Sequence, residues 1–190
     1  MLTEKFMNDY QAIQRLKKGD ISGMDALVLR HQTKAIRTAY LITHDDSLAE
    51  DVVQETFLRI YQRIRYFDET RPFEPYLLRS VVHTALNQAE KTRKEIPLMD
   101  EPDTGFIAGL IAKAASTEDQ VEFAQLKEEI FSALNRLAPR DRAVIVERYY
   151  LGMTEKEMAA EHGIAPGTVK WYLNVARRHL GTFLGMESDK

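Results

Sequence analysis

Residues 154–180 read TEKEMAAEHGIAPGTVKWYLNVARRHL, and this stretch predicts a helix-turn-helix. Thr154 and Glu157 have the spacing of a capping box at the start of a short helix, and Gly163 can take the left-handed conformation that ends it. Pro166 fixes φ for the first turn of a second helix. The apolar residues of this second helix recur at helical spacing and predict one buried face, formed by Val169, Leu173, Ala176 and Leu180.

The opposite face of the second helix is polar and basic. Between residues 166 and 180 there are three cations and no acidic residue. On a helix that enters the major groove, such cations meet phosphates and polar side chains reach base edges. Cations near a helix C-terminus also complement its dipole, so a solvated basic helix end is the alternative. We predict that DNA binds this face, which presents Thr168, Lys170, Trp171, Asn174, Arg177 and Arg178.

The composition of the chain limits which classes of function are possible. The chain has 190 residues, 44% of them hydrophobic, and a formal net charge of -3. These values suit one or two folded domains and exclude binding to nucleic acid through overall charge alone. The absence of cysteine excludes disulfides and thiolate sites. No apolar run has membrane-spanning length and the first residues lack a signal-peptide pattern, so we expect a cytoplasmic protein without membrane insertion.

The sequence contains no motif typical of catalytic or metal chemistry. It has no P-loop, dinucleotide fingerprint, nucleophile elbow or zinc-binding His-Glu-x-x-His pattern. Its five histidines lack metal-ligand spacing, and we expect His31 to be partly exposed. Carboxylates are expected on solvated helix faces. The sequence thus predicts no enzyme, no catalytic residue, no metal site and no cofactor.

Every sustained apolar period along the chain is helical, which predicts an all-α fold. Four predicted helices form an N-terminal domain, residues 1–95. In its first helix the apolar residues that follow helical spacing are Phe6, Tyr10, Ile13 and Leu16. Four more form a C-terminal domain, residues 118–190, that ends in the helix-turn-helix. Prolines, glycines and acidic residues interrupt the pattern at residues 96–117 and predict a flexible acidic linker. Within the linker, residues 106–114 could form a short amphipathic helix that docks elsewhere.

The predicted third helix has an unusual surface. Ser47 and Glu50 have capping-box spacing at its start, and acidic residues then give way to arginines in its later turns, as the helix dipole favours. Ordinary surface charge and a protein-docking face both fit this pattern, and the residues alone leave the two open. The surface comprises Glu50, Asp51, Gln54, Glu55 and Arg59.

A fourth helix is predicted over residues 76–94, after a turn with two prolines at residues 71–75. Basic residues are interleaved there with Tyr76 and His83, a pattern that can bind single-stranded nucleic acid through phosphate contacts and stacking. The basic residues are Arg79, Lys91, Arg93 and Lys94.

These blocks resemble the extracytoplasmic-function group of bacterial RNA polymerase sigma factors, over nearly the whole chain. Residues 49–59, AEDVVQETFLR, are very similar to the group's most recognisable block. Gly19-Asp20 with Ala26-Leu27 resembles its first block, while LAPR at 137–140 and GTVK at 167–170 resemble parts of its second domain. Residues that match its promoter-melting helix are Phe73, Leu77 and Arg79.

The resemblance implies a sigma factor that binds the β′ and β subunits of core RNA polymerase and directs promoter-specific initiation without catalysis of its own. In the group, the acidic helix docks on β′, the fourth helix holds the non-template strand at the minus-10 element, and the last helix reads the minus-35 element. Anti-sigma partners are common. The implied core-polymerase contacts are Glu50, Asp51, Gln54, Glu55 and Arg59. The implied minus-10 contacts are Tyr76, Arg79, His83, Asn87, Lys91 and Arg93, and the implied minus-35 contacts are Thr168, Lys170, Trp171, Asn174, Arg177 and Arg178.

The chain departs from the group's usual residues at several of these positions. The departures imply a less basic melting helix, fewer phosphate contacts on the last helix, and promoter elements unlike the group's common ones. They are Tyr76, His83, Asn87, Trp171 and Val175. A stand-alone helix-turn-helix regulator is the alternative to a sigma factor, and a helical docking adaptor that binds no DNA is a third reading.

Overall fold

A computed structural model describes residues 7–92 and 120–184, with side chains described for residues 7–91 and 128–184. Within these residues the regular structure is entirely helical, which confirms the all-α prediction. The helices are α1 (Asp9–Lys17), α2 (Ser22–Thr43), α3 (Asp46–Arg63), α4 (Phe73–Thr92), α5 (Gln120–Arg136), α6 (Pro139–Ile145), α7 (Glu155–His162) and α8 (Pro166–Phe183). A 3-10 turn, Ile64–Tyr66, follows α3, and a π-helical turn, Val146–Tyr150, follows α6.

The chain divides into two compact units between Gln88 and Ala89, in the last turns of α4. The predicted linker, residues 96–117, and the amphipathic segment within it, residues 106–114, lie outside the described residues. The limits 1–95, 96–117 and 118–190 therefore stay a prediction.

In the first unit, α1 and α2 approach each other closely. Ile13 and Leu16, two of the apolar residues at helical spacing, are buried, whereas Tyr10 is 58% exposed. Gly23 lies at the point of closest approach: a Cβ at this position would lie 2.2 Å from the carbonyl oxygen of Ala12. Because that neighbour is backbone, any larger residue must push the two helices apart.

Replacing Gly23 with alanine is therefore expected to destabilise the fold by about 1–3 kcal/mol, the usual cost of overpacking. Urea unfolding followed by circular dichroism measures the change. Gly167→Ala is the matched control, since a Cβ there meets nothing within 4 Å and alanine favours a helix by up to about 1 kcal/mol over glycine. Equal stability of the Gly23→Ala variant and the parent chain would contradict this account of the contact.

His31 is buried, so the expectation of partial exposure is wrong. The side chain is 4% exposed. Its Nε2 lies 2.9 Å from Asp9 Oδ2 on α1, and its Nδ1 lies 3.5 Å from Glu74 Oε2 on α4. Arg30 also pairs with Asp9, and Lys34 with Glu74. Charged partners more than 20 residues away in the chain thus make burial of this histidine tolerable, since buried polar groups need hydrogen bonds.

The starts of α3 and α4 differ from prediction. Asp45, in an extended conformation, caps α3 and accepts a hydrogen bond from Leu48 N at 2.9 Å. The predicted capping box of Ser47 with Glu50 is therefore wrong, because the aspartate two residues earlier occupies the cap position. Helix α4 starts at Phe73 rather than residue 76. Pro75 fits in its first turn, where a missing N–H costs no intrahelical bond.

The second unit ends in the predicted helix-turn-helix. Thr154 caps α7, and its capping box with Glu157 is present. Gly163 ends that helix with φ 63°, and Pro166 opens α8. The four residues of the predicted inward face are buried: Val169, Leu173, Ala176 and Leu180. The local signals at Thr154, Gly163 and Pro166 are thus confirmed.

Two carboxylates of this unit are buried against histidines, contrary to the expectation that carboxylates lie on solvated faces. Glu147, in the π-helical turn, is 1% exposed, and both its oxygens lie 2.9 Å from Nε2 of His162 on α7. Asp141 on α6 lies 2.8 Å from Nδ1 of His179 on α8. The hydrogen bond to Glu147 raises the pKa of His162 above its ordinary value of 6.5, although burial opposes the shift.

The Glu147–His162 pair is expected to make stability depend on pH. The pKa of His162 is raised in the folded state. The pair therefore makes its full contribution to the free energy of unfolding below about pH 6.5, and this contribution is lost as pH rises through the folded pKa. Removing one partner of a buried pair costs about 3 kcal/mol or more. In calorimetry, His162→Ala should therefore lower Tm more at pH 6 than at pH 9.

His83→Ala serves as the control, since His83 is exposed and its loss should change Tm little at either pH. A loss of Tm in His162→Ala that is the same at both pH values would show that the imidazole acts through packing rather than through its charge.

Candidate functional site

The predicted docking residues lie along the outward side of α3. Glu50, Asp51, Gln54 and Arg59 are exposed, and the opposite side of the helix is buried. Glu55 is partly buried: its carboxylate pairs with Arg59 and accepts a hydrogen bond from Gln88 Nε2 at 3.3 Å. We call these five residues the acidic surface. Its unshared negative charge is concentrated toward the start of α3.

A groove borders the acidic surface between α2 and α3. Its volume is about 460 Å³. Glu50 and Gln54 form part of its edge, and apolar side chains of both helices form its floor. The lining residues are Val28, Gln32, Ile36, Glu50, Val53, Gln54 and Phe57. Sequence reasoning missed this groove, because it exists only once two helices that are distant in sequence pack side by side.

Five of the six predicted minus-10 residues share one face of α4, since Tyr76, Arg79, His83, Asn87 and Lys91 recur at intervals of three or four. Tyr76 and Arg79 are partly buried, and His83, Asn87 and Lys91 are exposed. His83 Nδ1 and Asn87 Nδ2 lie 3.2 Å apart. Arg93 lies outside the described residues.

Tyr76 and Arg79 also line a pocket of about 520 Å³ at the start of α4. The other lining residues come from the end of α3 and the segment that follows it: Arg63, Tyr66, Phe67, Asp68 and Arg71. We call this the arginine–aromatic pocket. Phe67 packs on Tyr76 with ring centroids 4.9 Å apart, whereas Tyr66 is 89% exposed.

Charge in the arginine–aromatic pocket is mostly positive. Asp68 lies 3.4 Å from Arg71, and hydrogen bonds from Thr70 lower the pKa of its carboxyl. Three arginines therefore face one carboxylate, next to aromatic rings. This combination suits a phosphate and an unstacked base. The sequence does contain a signal, the run RIRYF at residues 63–67, but only the fold brings this run against α4.

The residues predicted to meet DNA on α8 differ in exposure along the helix. Lys170 and Trp171 are exposed, and Thr168 and Asn174 are partly exposed. Arg177 and Arg178 were expected on the open face but are partly buried. Val175 is buried. The reason is that α8 packs on α5, α6 and α7.

One contact locates this covering at the C-terminal end of α8. The Arg136 guanidinium of α5 lies 4.2 Å from the ring centroid of Phe183. The N-terminal half of α8 therefore offers the more open surface.

Within the described ranges there is no group of His, Asp and Glu placed to hold a metal ion. Among the same residues, no helix has both the length and the apolar character needed to cross a membrane.

Comparison with known proteins shows two matching family regions. Residues 27–95 match Sigma-70 region 2, and residues 127–180 match Sigma-70 region 4. The chain is 34% identical over 158 residues to the ECF RNA polymerase sigma factor SigL of Mycobacterium tuberculosis, covering 83% of this chain and 86% of that protein. The chain belongs to the extracytoplasmic-function sigma factors. The predicted family is therefore confirmed.

Other relatives are less similar in sequence. The RNA polymerase sigma-H factor of Pseudomonas aeruginosa is 28% identical over 176 residues, with 90% of this chain and 89% of that protein covered. SigW of Bacillus subtilis is 27% identical over 172 residues, with 88% and 92% covered. The function follows from the family: this sigma factor acts with RNA polymerase in promoter-directed transcription initiation, and a stand-alone regulator is not favoured.

Solved structures show the same fold. CnrH in complex with the cytosolic domain of CnrY has a TM-score of 0.60 and 23% identity, covering 95% of this chain and 99% of that one. The sigma factor RpoE in complex with the anti-sigma factor NepR, from Bartonella quintana, has a TM-score of 0.55 and 18% identity, covering 86% and 97%.

Proposed function

We propose that this sigma factor docks on core RNA polymerase through the acidic surface and its groove, holds the melted minus-10 strand at α4, and reads the minus-35 element with α8. It performs no catalysis of its own and works in the bacterial cytoplasm, where the polymerase acts. The observation that supports this most directly is the juxtaposition of exposed Glu50, Asp51 and Gln54 with the apolar groove floor.

The acidic surface and the groove supply complementary parts of a protein interface. Exposed carboxylates attract a cationic partner and fix its register. The groove floor offers Val53 and Phe57 for close packing, and desolvated apolar contacts supply most of the affinity in typical interfaces. A basic helical element of β′ that inserts an apolar side chain into the groove would satisfy both.

Glu50 and Asp51 are better targets for mutation than Glu55. The carboxylate of Glu55 is shared with Arg59 and Gln88, so its replacement also disturbs contacts between α3 and α4. The two earlier residues are exposed, and surface changes usually alter stability by less than about 0.5 kcal/mol.

Glu50→Lys combined with Asp51→Lys is expected to lower affinity for core polymerase by at least about 100-fold, since like-charge contacts in an interface cost several kcal/mol. Fluorescence anisotropy of labelled sigma factor titrated with core enzyme measures the loss. Glu128→Lys with Glu129→Lys makes the same change in net charge at exposed positions of α5 and should bind like the parent chain. If the α3 variant is helical by circular dichroism and binds with unchanged affinity, the acidic surface is not the docking site.

We propose that the arginine–aromatic pocket receives an unpaired base of the non-template strand. The exposed ring of Tyr66 supplies a stacking surface, and Arg63, Arg71 and Arg79 can meet the flanking phosphates. The exposed row of His83, Asn87 and Lys91 continues along α4 as the path for the rest of the strand. Arg93 stays a predicted contact of this strand.

Tyr66→Ala is expected to reduce promoter opening by about 5- to 150-fold, the range that corresponds to loss of one base–aromatic stack. Permanganate reactivity of thymines at the minus-10 element measures opening. Tyr10→Ala removes the same type of side chain from an exposed position of α1 and should leave opening unchanged. A defect in Tyr66→Ala that is no larger than that of Tyr10→Ala would show that the ring does not contact the melted strand.

We also propose an anti-sigma partner, because the two solved structures named above are complexes, CnrH with CnrY and RpoE with NepR. The groove between α2 and α3 would suit an apolar helix of such a partner. An occupied groove would exclude core polymerase, so sequestration and docking would compete. The domain limits 1–95, 96–117 and 118–190 belong to the same proposal, with the two DNA-contacting surfaces on separate domains.

A further inference from the structure

The indole of Trp171 is the largest exposed apolar group on α8. It is 59% exposed, although Val169 and Leu173 on either side of it are buried. Single exposed apolar residues are common on protein surfaces. This one differs because it lies in the N-terminal half of the helix proposed to enter the major groove, next to exposed Lys170.

The position of Trp171 is fixed by its neighbours. Its ring centroid lies 5.1 Å from that of Tyr172 in an edge-to-face arrangement. Tyr172 is in turn held by Arg140, whose guanidinium lies 5.7 Å from the tyrosine ring and whose Nη1 donates to the Tyr172 hydroxyl at 3.5 Å. An aromatic side chain has only two side-chain torsions, and here it also packs against a neighbouring ring. It therefore presents a defined apolar surface at low entropic cost.

Gly167 leaves the surface next to Trp171 open. It lies one helical turn before Trp171, and helical side chains lean toward the N-terminus of the helix. A Cβ at position 167 would meet nothing within 4 Å. The indole therefore has room on the side that faces the start of α8, and recognition helices contact base edges chiefly through their N-terminal residues.

The distribution of charge along α8 makes an apolar contact by Trp171 more important for DNA recognition. Lys170 is exposed, whereas Arg177 and Arg178 are partly buried in the C-terminal half. Phosphate contacts near the start of the helix are therefore few, so sequence-independent attraction there is weak. Recognition must depend more on contacts with base edges.

We propose that Trp171 determines promoter specificity by packing its indole on the C5-methyl group of a thymine in the minus-35 element. This inference rests on the proposed function of α8. The thymine methyl is the one apolar group that the four bases present in the major groove. An indole in the position of Trp171 can desolvate that methyl, which a polar or cationic side chain does less well.

Deoxyuridine tests the proposal, because uracil lacks the methyl group and keeps the hydrogen-bonding edge of thymine. The reconstituted holoenzyme first selects its preferred duplex from promoter DNA randomised over the minus-35 segment. Each thymine of that segment is then replaced singly by deoxyuridine. One replacement is expected to weaken holoenzyme binding by about fourfold, the effect of losing burial of one methyl-sized group.

Variants of the full chain assign this effect to Trp171. Trp171→Ala should bind the thymine duplex at least about fivefold more weakly and no longer distinguish thymine from deoxyuridine. Trp171→Phe should retain part of the discrimination, since it retains an aromatic face. Lys170→Ala is the neighbouring control: it should weaken binding to both duplexes alike and should preserve the thymine-to-deoxyuridine ratio.

The proposal is overturned if the selected element contains no thymine, or if no single deoxyuridine weakens binding by the parent holoenzyme. It is also overturned if Trp171→Ala keeps the discrimination and instead loses affinity for a protein such as an anti-sigma factor. A holoenzyme that assembles but selects no sequence in the randomised segment would refute the proposed function of α8 itself, and this inference with it. The deoxyuridine arm needs no variant, and Trp171→Phe tests the assignment to Trp171 if Trp171→Ala fails to fold.

Discussion

The buried imidazole of His31 holds three helices of the first unit together. It sits on α2 and meets a carboxylate of α1 through one nitrogen and a carboxylate of α4 through the other. Arg30 and Lys34, also on α2, pair with the same two carboxylates. Loss of the imidazole would remove one partner from each acid and leave Arg30 and Lys34 as their partners on α2. Since α3 packs on α2, this cluster also fixes the acidic surface relative to the arginine–aromatic pocket.

The second unit uses the same chemistry to position its helix-turn-helix. Asp141 joins α6 to α8 through His179, and Glu147 joins the π-helical turn to α7 through His162. Both helices of the motif are thus tied to one support by directional contacts, and apolar burial of the Val169–Leu180 stripe adds the larger, non-directional contribution. Apolar packing alone would tolerate small rotations of α8. The two acid–imidazole pairs constrain the angle at which Lys170 and Trp171 are presented.

The helix ends of the helix-turn-helix were predictable from the sequence, whereas the capping of α3 by Asp45 and the features formed by distant residues were not. Thr154, Gly163 and Pro166 determine the helix ends within a few residues of themselves, so the helix-turn-helix is as predicted. The exposure of Glu50 and Asp51 at the start of α3 was predictable because the helical spacing that places them opposite the buried face is local. The burial of His31 and Glu147 was missed because their partners lie 15 to 43 residues away. Arg177 and Arg178 were placed on the open face because a helical wheel does not show which further helix packs there.

The position of Trp171 has a practical consequence for fluorescence measurements of DNA binding. It is the only tryptophan in the chain, and it is exposed on the helix proposed to meet the minus-35 element. Intrinsic emission excited at the red edge of its absorption therefore reports from the second unit alone, while eight tyrosines contribute little. When the sigma factor is free of core polymerase, a DNA base close to the indole would quench this emission. DNA contact at α8 can therefore be followed without an attached dye. Events confined to the acidic surface would leave the same signal unchanged.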